Sequence, residues 1–364
     1  MNMDMLSGLE TKMNGNQETI RKIYIRADGN DVIATGHIMR CLSIADQIKK
    51  LGAEVTFVTA DEAPRSLIEG RGFEVDVLGT TWNDLDGETG VICRYVVERK
   101  VRVLLIDSYY VTEDYLGSLS DITNVVYIDD LYAFGYPVNA LINYAVFSDI
   151  NRYHELYRNE KEPYYLVGGD YVPIREEFIN VSSMIRDRVG KIMITTGGTD
   201  RLNVTGNLLK AVLVDEELSR LEYHVIVGRF NQNKDMLSEL AETSDGHFIL
   251  HENVTQMSEY MTKCDVAVSA SGSTLYELCA CGTPTICLEI ADNQNGACRW
   301  EQEGYMRYAG NAAEDMNACI STCIIKLKEL KTDFDARLNM SKRTQSLVDG
   351  KGAERIARYL LNGI

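Results

Sequence analysis

Short β-branched runs alternate with amphipathic stretches of helical length along most of this 364-residue chain, and no other feature narrows the possible folds as much. In the first half, strand candidates are residues 22–26, 54–59, 74–78, 101–107, 124–129 and 140–143, separated by helix-length segments such as 37–51, 62–71 and 90–100. In the second half, strands are expected at 191–195, 222–227, 247–250, 265–269 and 284–289, with helices at 203–215, 234–242, 255–263 and 273–281. Strands that alternate strictly with helices pair in parallel, because each crossover helix packs back onto the sheet and covers a face. The run occurs twice. The expected fold is α/β, two doubly wound Rossmann-like domains with a ligand cleft between them at the carboxyl ends of their strands.

The join is expected between residues 171 and 191, where Pro173, the charged Arg175-Glu176-Glu177 and a helix-like stretch at 181–188 interrupt the alternation. This predicts an N-terminal domain over 21–180 and a C-terminal domain over 181–364 that ends in a helical tail, 313–361. Residues 1–20 are polar and acidic without an apolar core, and read as a disordered extension and not as a secretory signal. No apolar run approaches the roughly 18 residues of a membrane span. Lys and Arg total 37 against 54 Asp and Glu, a formal net charge of −17. Such a field repels phosphate backbones and anionic surfaces, which disfavours nucleic acid and membrane partners. Nine cysteines with no Cys-x-x-Cys pair read as buried thiols in a reducing cytosol, and the close pairs Cys279/Cys281 and Cys319/Cys323 lack the second ligand pair of a metal site. Oligomeric state leaves no mark in the sequence.

Two strand–loop–helix junctions carry the chemistry. The first runs from Arg26-Ala27-Asp28-Gly29-Asn30 to Gly36-His37-Ile38-Met39-Arg40-Cys41. A loop that feeds a helix N-terminus presents backbone N–H groups to an anion, Gly36 leaves room for close approach, and His37 is a candidate general base. The plainer alternative for His37 is a polar residue that caps the helix. Arg26 and Arg40 are the nearby cations for an anionic substrate, unless the abundant carboxylates take them. The second junction is Ser269-Ala270-Ser271-Gly272-Ser273-Thr274-Leu275-Tyr276-Glu277. Its small residues form a candidate diphosphate cradle, and Glu277 is placed to accept the hydrogens of a ribose diol or else simply faces solvent. Gly197 and Gly198, the pair Asp107 and Tyr109, and Asn293 and Gln294 lie at further predicted strand ends and complete the candidate binding residues, each with a plain turn or a satisfied core residue as its alternative.

The first junction resembles the N-terminal signature of the UDP-2,4-diacetamido-2,4,6-trideoxy-β-L-altropyranose hydrolase family of pseudaminic acid biosynthesis, with its relatives in spore-coat polysaccharide synthesis. Asp107-Ser-Tyr109, Tyr171-Val-Pro-Ile-Arg175-Glu-Glu-Phe178, Gly197-Gly-Thr-Asp200, the Ser271–Glu277 loop and Asp292-Asn-Gln294 resemble its later motifs in the same order. The resemblance covers about residues 22–310 and departs at Ala34, where many members have glycine. It implies the GT-B fold and an enzyme that hydrolyses a UDP-sugar with no essential metal, and no cofactor is expected. His37 would activate the water that attacks the anomeric carbon, Tyr109 would lie beside the reacting centre, and Glu277 would hold the ribose hydroxyls. Two rival readings share part of the pattern. A GT-B glycosyltransferase with a UDP-sugar donor has the same His and Glu junctions, but it also has a membrane-docking patch not evident here. A non-catalytic nucleotide-sugar binding protein would need the Ser271–Glu277 loop and neither His37 nor Tyr109.

Overall fold

The sheet of the first half is built outward from the run β1 (Lys22–Ala27). The computed structural model describes residues 22–33, 35–158, 160–291, 294 and 296–363. The extension at 1–20, Ala34, Asp292 and Asn293 therefore lie outside the described residues. β2 (Glu54–Thr59), β3 (Glu74–Val77), β4 (Val103–Asp107), β5 (Asn124–Ile128), β6 (Ala140–Asn143) and β7 (Tyr164–Val167) complete a sheet of order β3-β2-β1-β4-β5-β6-β7. The pairings from β3 through to β6 are parallel. Its helices are α1 (Gly36–Lys50), α2 (Arg65–Glu69), α3 (Leu85–Glu98), α4 (Glu113–Ser120) and α5 (Ile150–Leu156). Every residue of β4 is buried, as expected of an apolar run in a sheet covered on both faces. α1 buries Ile38, Cys41, Leu42, Ile44, Ala45 and Ile48, the helical spacing that seats one face on the sheet.

The second sheet has the order β10-β9-β8-β11-β12-β13, all parallel, from β8 (Lys191–Thr195), β9 (Glu222–Val227), β10 (Phe248–Glu252), β11 (Val266–Ala270), β12 (Thr285–Glu289) and β13 (Arg307–Asn311). It carries α6 (Val204–Leu213), α7 (Lys234–Thr243), α8 (Met257–Lys263), α9 (Thr274–Cys281), α10 (Cys298–Gln302), α11 (Met316–Thr332) and α12 (Phe334–Leu347), and α13 (Gly352–Asn362) closes the chain. Alternate strand residues separate two apolar layers. Ile192, Ile194, Val225 and Val268 pack with residues of α6 and α11, whereas Met193, Ala267 and Cys287 pack with residues of α8 and α9.

The chain divides into two units. One takes the described residues up to Ile142, Ile150–Leu166 and the last residues from Ile356; the other takes Asn143–Asp149 and Val167–Arg355. The boundary expected at residue 180 is thus too late, and the end of the tail belongs to the first unit. The reason is packing: Tyr144, Val146, Phe147, Val172, Ile174 and Phe178 sit in the apolar layer of α8 and α9, whereas Tyr359 of α13 stacks on Tyr164, ring centroids 4.8 Å apart. The helix expected at 181–188 does not form. Its apolar spacing is helical, but Ser183 donates its amide to the Cys281 carbonyl (2.7 Å) and shares its hydroxyl hydrogen bond with Thr283 (2.7 Å), which holds the segment in an irregular path. β7 and β13 were not expected from the sequence. All nine cysteines are free thiols, seven of them buried and Cys93 and Cys298 half-buried. Among the described residues, no helix is long and apolar enough to cross a membrane.

Candidate active site

In each sheet the order reverses between the first strand and the fourth, so the carboxyl ends of those two strands lie side by side. In the first unit they belong to β1 and β4, which pair with Ala27 beside Asp107. The first turn of α1 brings His37, Arg40 and Cys41, three and four residues apart, onto the Asp107 carboxylate. His37 Nδ1 lies 2.7 Å from Asp107 Oδ1. Arg40 donates from Nε to Oδ2 at 2.5 Å and from Nη2 to Oδ1, and the Cys41 thiol points at Oδ2 from 3.5 Å. Burial by itself would raise the Asp107 carboxyl, but the Arg40 guanidinium, with His37 beside it, overrides this and holds it well below the usual carboxylate range. The Asp107 carboxylate facing Nδ1 favours the tautomer with hydrogen there and the lone pair on Nε2, against the Arg40 Nη2 donor that stands 2.9 Å from the same nitrogen. The Tyr109 ring meets the His37 ring edge to face, centroids 4.7 Å apart at 75°. Its hydroxyl donates to Asp130 Oδ2 (2.9 Å), and Asp130 also lies 3.9 Å from Arg40 Nη1.

These positions revise part of the expectation. His37 and Tyr109 do come together, and Asp107 and Arg40 hydrogen-bond to each other behind His37. Arg26 and Asp28 are structural. The Arg26 guanidinium, fully buried, donates to Glu88 from Nε (2.7 Å) and Nη2 (2.9 Å) and to Asp28 from Nη1 (2.5 Å). Asp28 also accepts the Ala60 amide (2.8 Å), and Tyr115 and Thr80 donate to Glu88. Burial opposes the Arg26 charge, yet the Glu88 and Asp28 partners more than offset it and its pKa is raised. Gly36 opens α1, and a side chain there would meet nothing within 4 Å. Asp130, which the sequence reading missed, carried only the signal of an acidic residue just past a predicted strand.

In the second unit the loops after β8 and β11 flank the corresponding reversal. Gly197 has φ +81°, a conformation that favours glycine, and the loop is pressed by Gly228, where a Cβ would stand 2.3 Å from the Gly197 carbonyl oxygen. In the other loop, the Ser271 amide donates to Leu288 and that of Gly272 to Ala270, and hydrogen bonding resumes with Leu275 and Tyr276, whose amides reach back to Gly272 and Ser273. Ser273 and Thr274 therefore stand at the open end of α9. Glu277, one turn in, is 15% exposed and pairs with Arg175, Nη2 to Oε1 at 3.0 Å. Burial raises the Glu277 carboxyl, and Arg175 offsets this only in part. Gln294 does not present its carbonyl outward: Oε1 accepts the Ile290 amide (2.9 Å) and closes the loop after β12. Asn293 lies outside the described residues. Among the described residues, no cluster of three or more His, Cys, Asp or Glu side chains is arranged to hold a metal ion.

Residues 192–333 match the glycosyltransferase family 28 C-terminal domain. The chain is 26% identical over 263 residues, 71% of its length and 42% of the relative's, to a Helicobacter pylori protein named pseudaminic acid cytidylyltransferase and UDP-2,4-diacetamido-2,4,6-trideoxy-β-L-altropyranose hydrolase. It is 20% identical to the Bacillus subtilis spore coat polysaccharide biosynthesis protein SpsG, over 93% of this chain and 97% of that one. The chain spans about half the length of the first curated relatives it matches. Among solved structures, Acinetobacter baumannii MurG superposes with a TM-score of 0.67 at 12% identity, over 94% of this chain and 100% of that one. The two units form a GT-B fold. At modest identity, these relatives fit the resemblance to the UDP-2,4-diacetamido-2,4,6-trideoxy-β-L-altropyranose hydrolase family and its spore-coat relatives.

Proposed function

We propose that the protein hydrolyses a UDP-linked amino-deoxy sugar, of the UDP-2,4-diacetamido-2,4,6-trideoxy-L-altrose type, to UDP and free sugar. The observation that carries this reading is His37 braced from behind by Asp107, with Tyr109 across its face. The names of the relatives support the substrate class, and the family 28 match covers the residues to which the nucleotide is assigned.

In this mechanism, His37 Nε2 takes a proton from water as the water oxygen bonds to the anomeric carbon. The bond from that carbon to the UDP oxygen breaks, with inversion, and UDP leaves with the electron pair. Asp107 stabilises the imidazolium that forms and fixes its ring. The amides of Ser273 and Thr274 and the positive end of α9 favour the charge that builds on the departing diphosphate. Glu277 receives the ribose hydroxyls, and Tyr109 lines the sugar.

The test follows UDP release from a panel of UDP-sugars in oxygen-18 water, with wild type and His37→Ala. Label in the free sugar, and loss of turnover with UDP binding retained in the variant, are expected. Label in UDP would move the attack to phosphorus and remove the role of His37. UDP release only when an acceptor is added would make the protein a glycosyltransferase.

A further inference from the structure

The motif Tyr171-Val-Pro-Ile-Arg175-Glu-Glu-Phe178 plays no part in the chemistry above, yet its arginine reaches the glutamate assigned to the ribose. Arg175 donates to the same oxygen of Glu277 twice, from Nη2 at 3.0 Å and from Nε at 3.3 Å. Its Nη1 lies 2.6 Å from Glu177 Oε1, and the guanidinium sits over the buried Phe178 ring, 5.2 Å from its centroid. Glu177 is itself anchored, because its Oε2 accepts the Ser258 amide at the start of α8 (3.0 Å). The guanidinium is thus fixed by a carboxylate on one side and a ring on another, and Glu277 has one oxygen engaged while no hydrogen bond among the described residues reaches Oε2.

We propose that Arg175 is a positioning residue for the nucleotide: by gripping Oε1 of Glu277 it turns Oε2 outward as the acceptor for the ribose diol of a nucleoside diphosphate. The proposal rests on the nucleotide reading of Glu277. The charged and titratable groups around Glu277 are Arg175 and Glu177 from the linking segment and the Cys281 thiol one turn further along α9, whose own pKa burial and the two carboxylates raise to about 12. Without Arg175, two carboxylates would face each other in a half-buried site with no cation between them. Glu277 would then hold a proton and accept poorly, and only at higher pH would it recover.

The experiment measures binding of UDP and of its 2′,3′-dideoxy analogue, by calorimetry across a range of pH, to wild type, Glu277→Gln, Arg175→Met and Arg175→Lys. Wild type should prefer UDP by about tenfold or more, the scale of hydrogen bonds to a charged acceptor. Glu277→Gln and Arg175→Met should both lose most of that preference, Arg175→Lys should keep part of it, and the Arg175→Met preference should rise with pH. Arg175→Lys retains the cation, so it tests the geometry even where Arg175→Met fails to fold. If Glu277→Gln loses the preference while both Arg175 variants keep it at every pH, Arg175 is only a strut and the proposal falls while the nucleotide reading stands. If wild type shows no preference, or does not bind UDP, the ribose role of Glu277 falls and the proposal with it.

Discussion

Asp107 stands directly behind His37, Oδ1 to Nδ1 at 2.7 Å, and Arg40 grips the same carboxylate through both of its oxygens. The pair is formed from residues seventy positions apart by one helical turn meeting one strand end. Asp107→Asn keeps the shape but offers an amide where a charge was, so it no longer holds the hydrogen on Nδ1 or stabilises an imidazolium. Turnover should fall by about 10²- to 10⁴-fold with UDP affinity nearly unchanged. Steady-state UDP release and calorimetry check this, and a variant with wild-type turnover would remove Asp107 from the mechanism.

Tyr109 and Asp130 act as one unit, since the hydroxyl of the first donates to the carboxylate of the second while the ring rests on His37. Tyr109→Phe and Asp130→Asn should each slow turnover by roughly tenfold, and the double variant should be little worse than either. Strictly additive losses in that double-mutant cycle would show that the two residues act separately.

Gly228 sets the place of the Gly197–Gly198 loop, since an added Cβ would lie within 2.4 Å of both their carbonyl oxygens. Gly228→Ala should cost about 1–3 kcal/mol of stability and weaken UDP binding as the loop moves. Gly36→Ala, with open space around it, should leave stability within about 0.5 kcal/mol of wild type. Urea denaturation of both variants decides whether the loop, and not glycine as such, carries the effect.

Asp107 also predicts an acid response. Burial works against its charge, but Arg40 and His37 hold its folded pKa below the unfolded value. The stability it contributes is therefore complete above the unfolded carboxylate range, about pH 4, and is lost as pH falls from there toward the depressed folded value. In urea melts taken from neutral pH downward, Asp107→Asn should be the less stable chain near neutrality, and its deficit should shrink below about pH 4. A deficit that is constant across that range would mean the folded pKa of Asp107 is not displaced from its unfolded value.

Much of the architecture was legible because alternation is a local property. β2, β6, β8 and β9 begin and end where the apolar runs do. β13 carries a glycine and an asparagine and lacks the β-branched pattern that marks most of the other strands. The 181–188 segment has helical spacing but forms no helix, because Ser183 bonds to the end of α9 and to Thr283, which the spacing does not encode. α3 starts at Leu85, five residues before the expected position, at the Asp84 cap that accepts the Gly87 amide.

At the site, the sequence by itself determined the types of group available: a histidine entering a helix after a strand, small residues before a second helix, and a glutamate one turn inside it. Only the tertiary structure decided which of the arginines are spent within the fold. Arg26 and Arg40 look alike in the chain, yet Glu88 and Asp28 bury one as a strut, while Asp107 sets the other beside the candidate base. Arg175 lies 102 residues from Glu277 and meets it in the folded chain. Charge is local to a residue, but its use depends on which opposite charge burial brings within hydrogen-bond reach, and that is a property of strand order and helix packing.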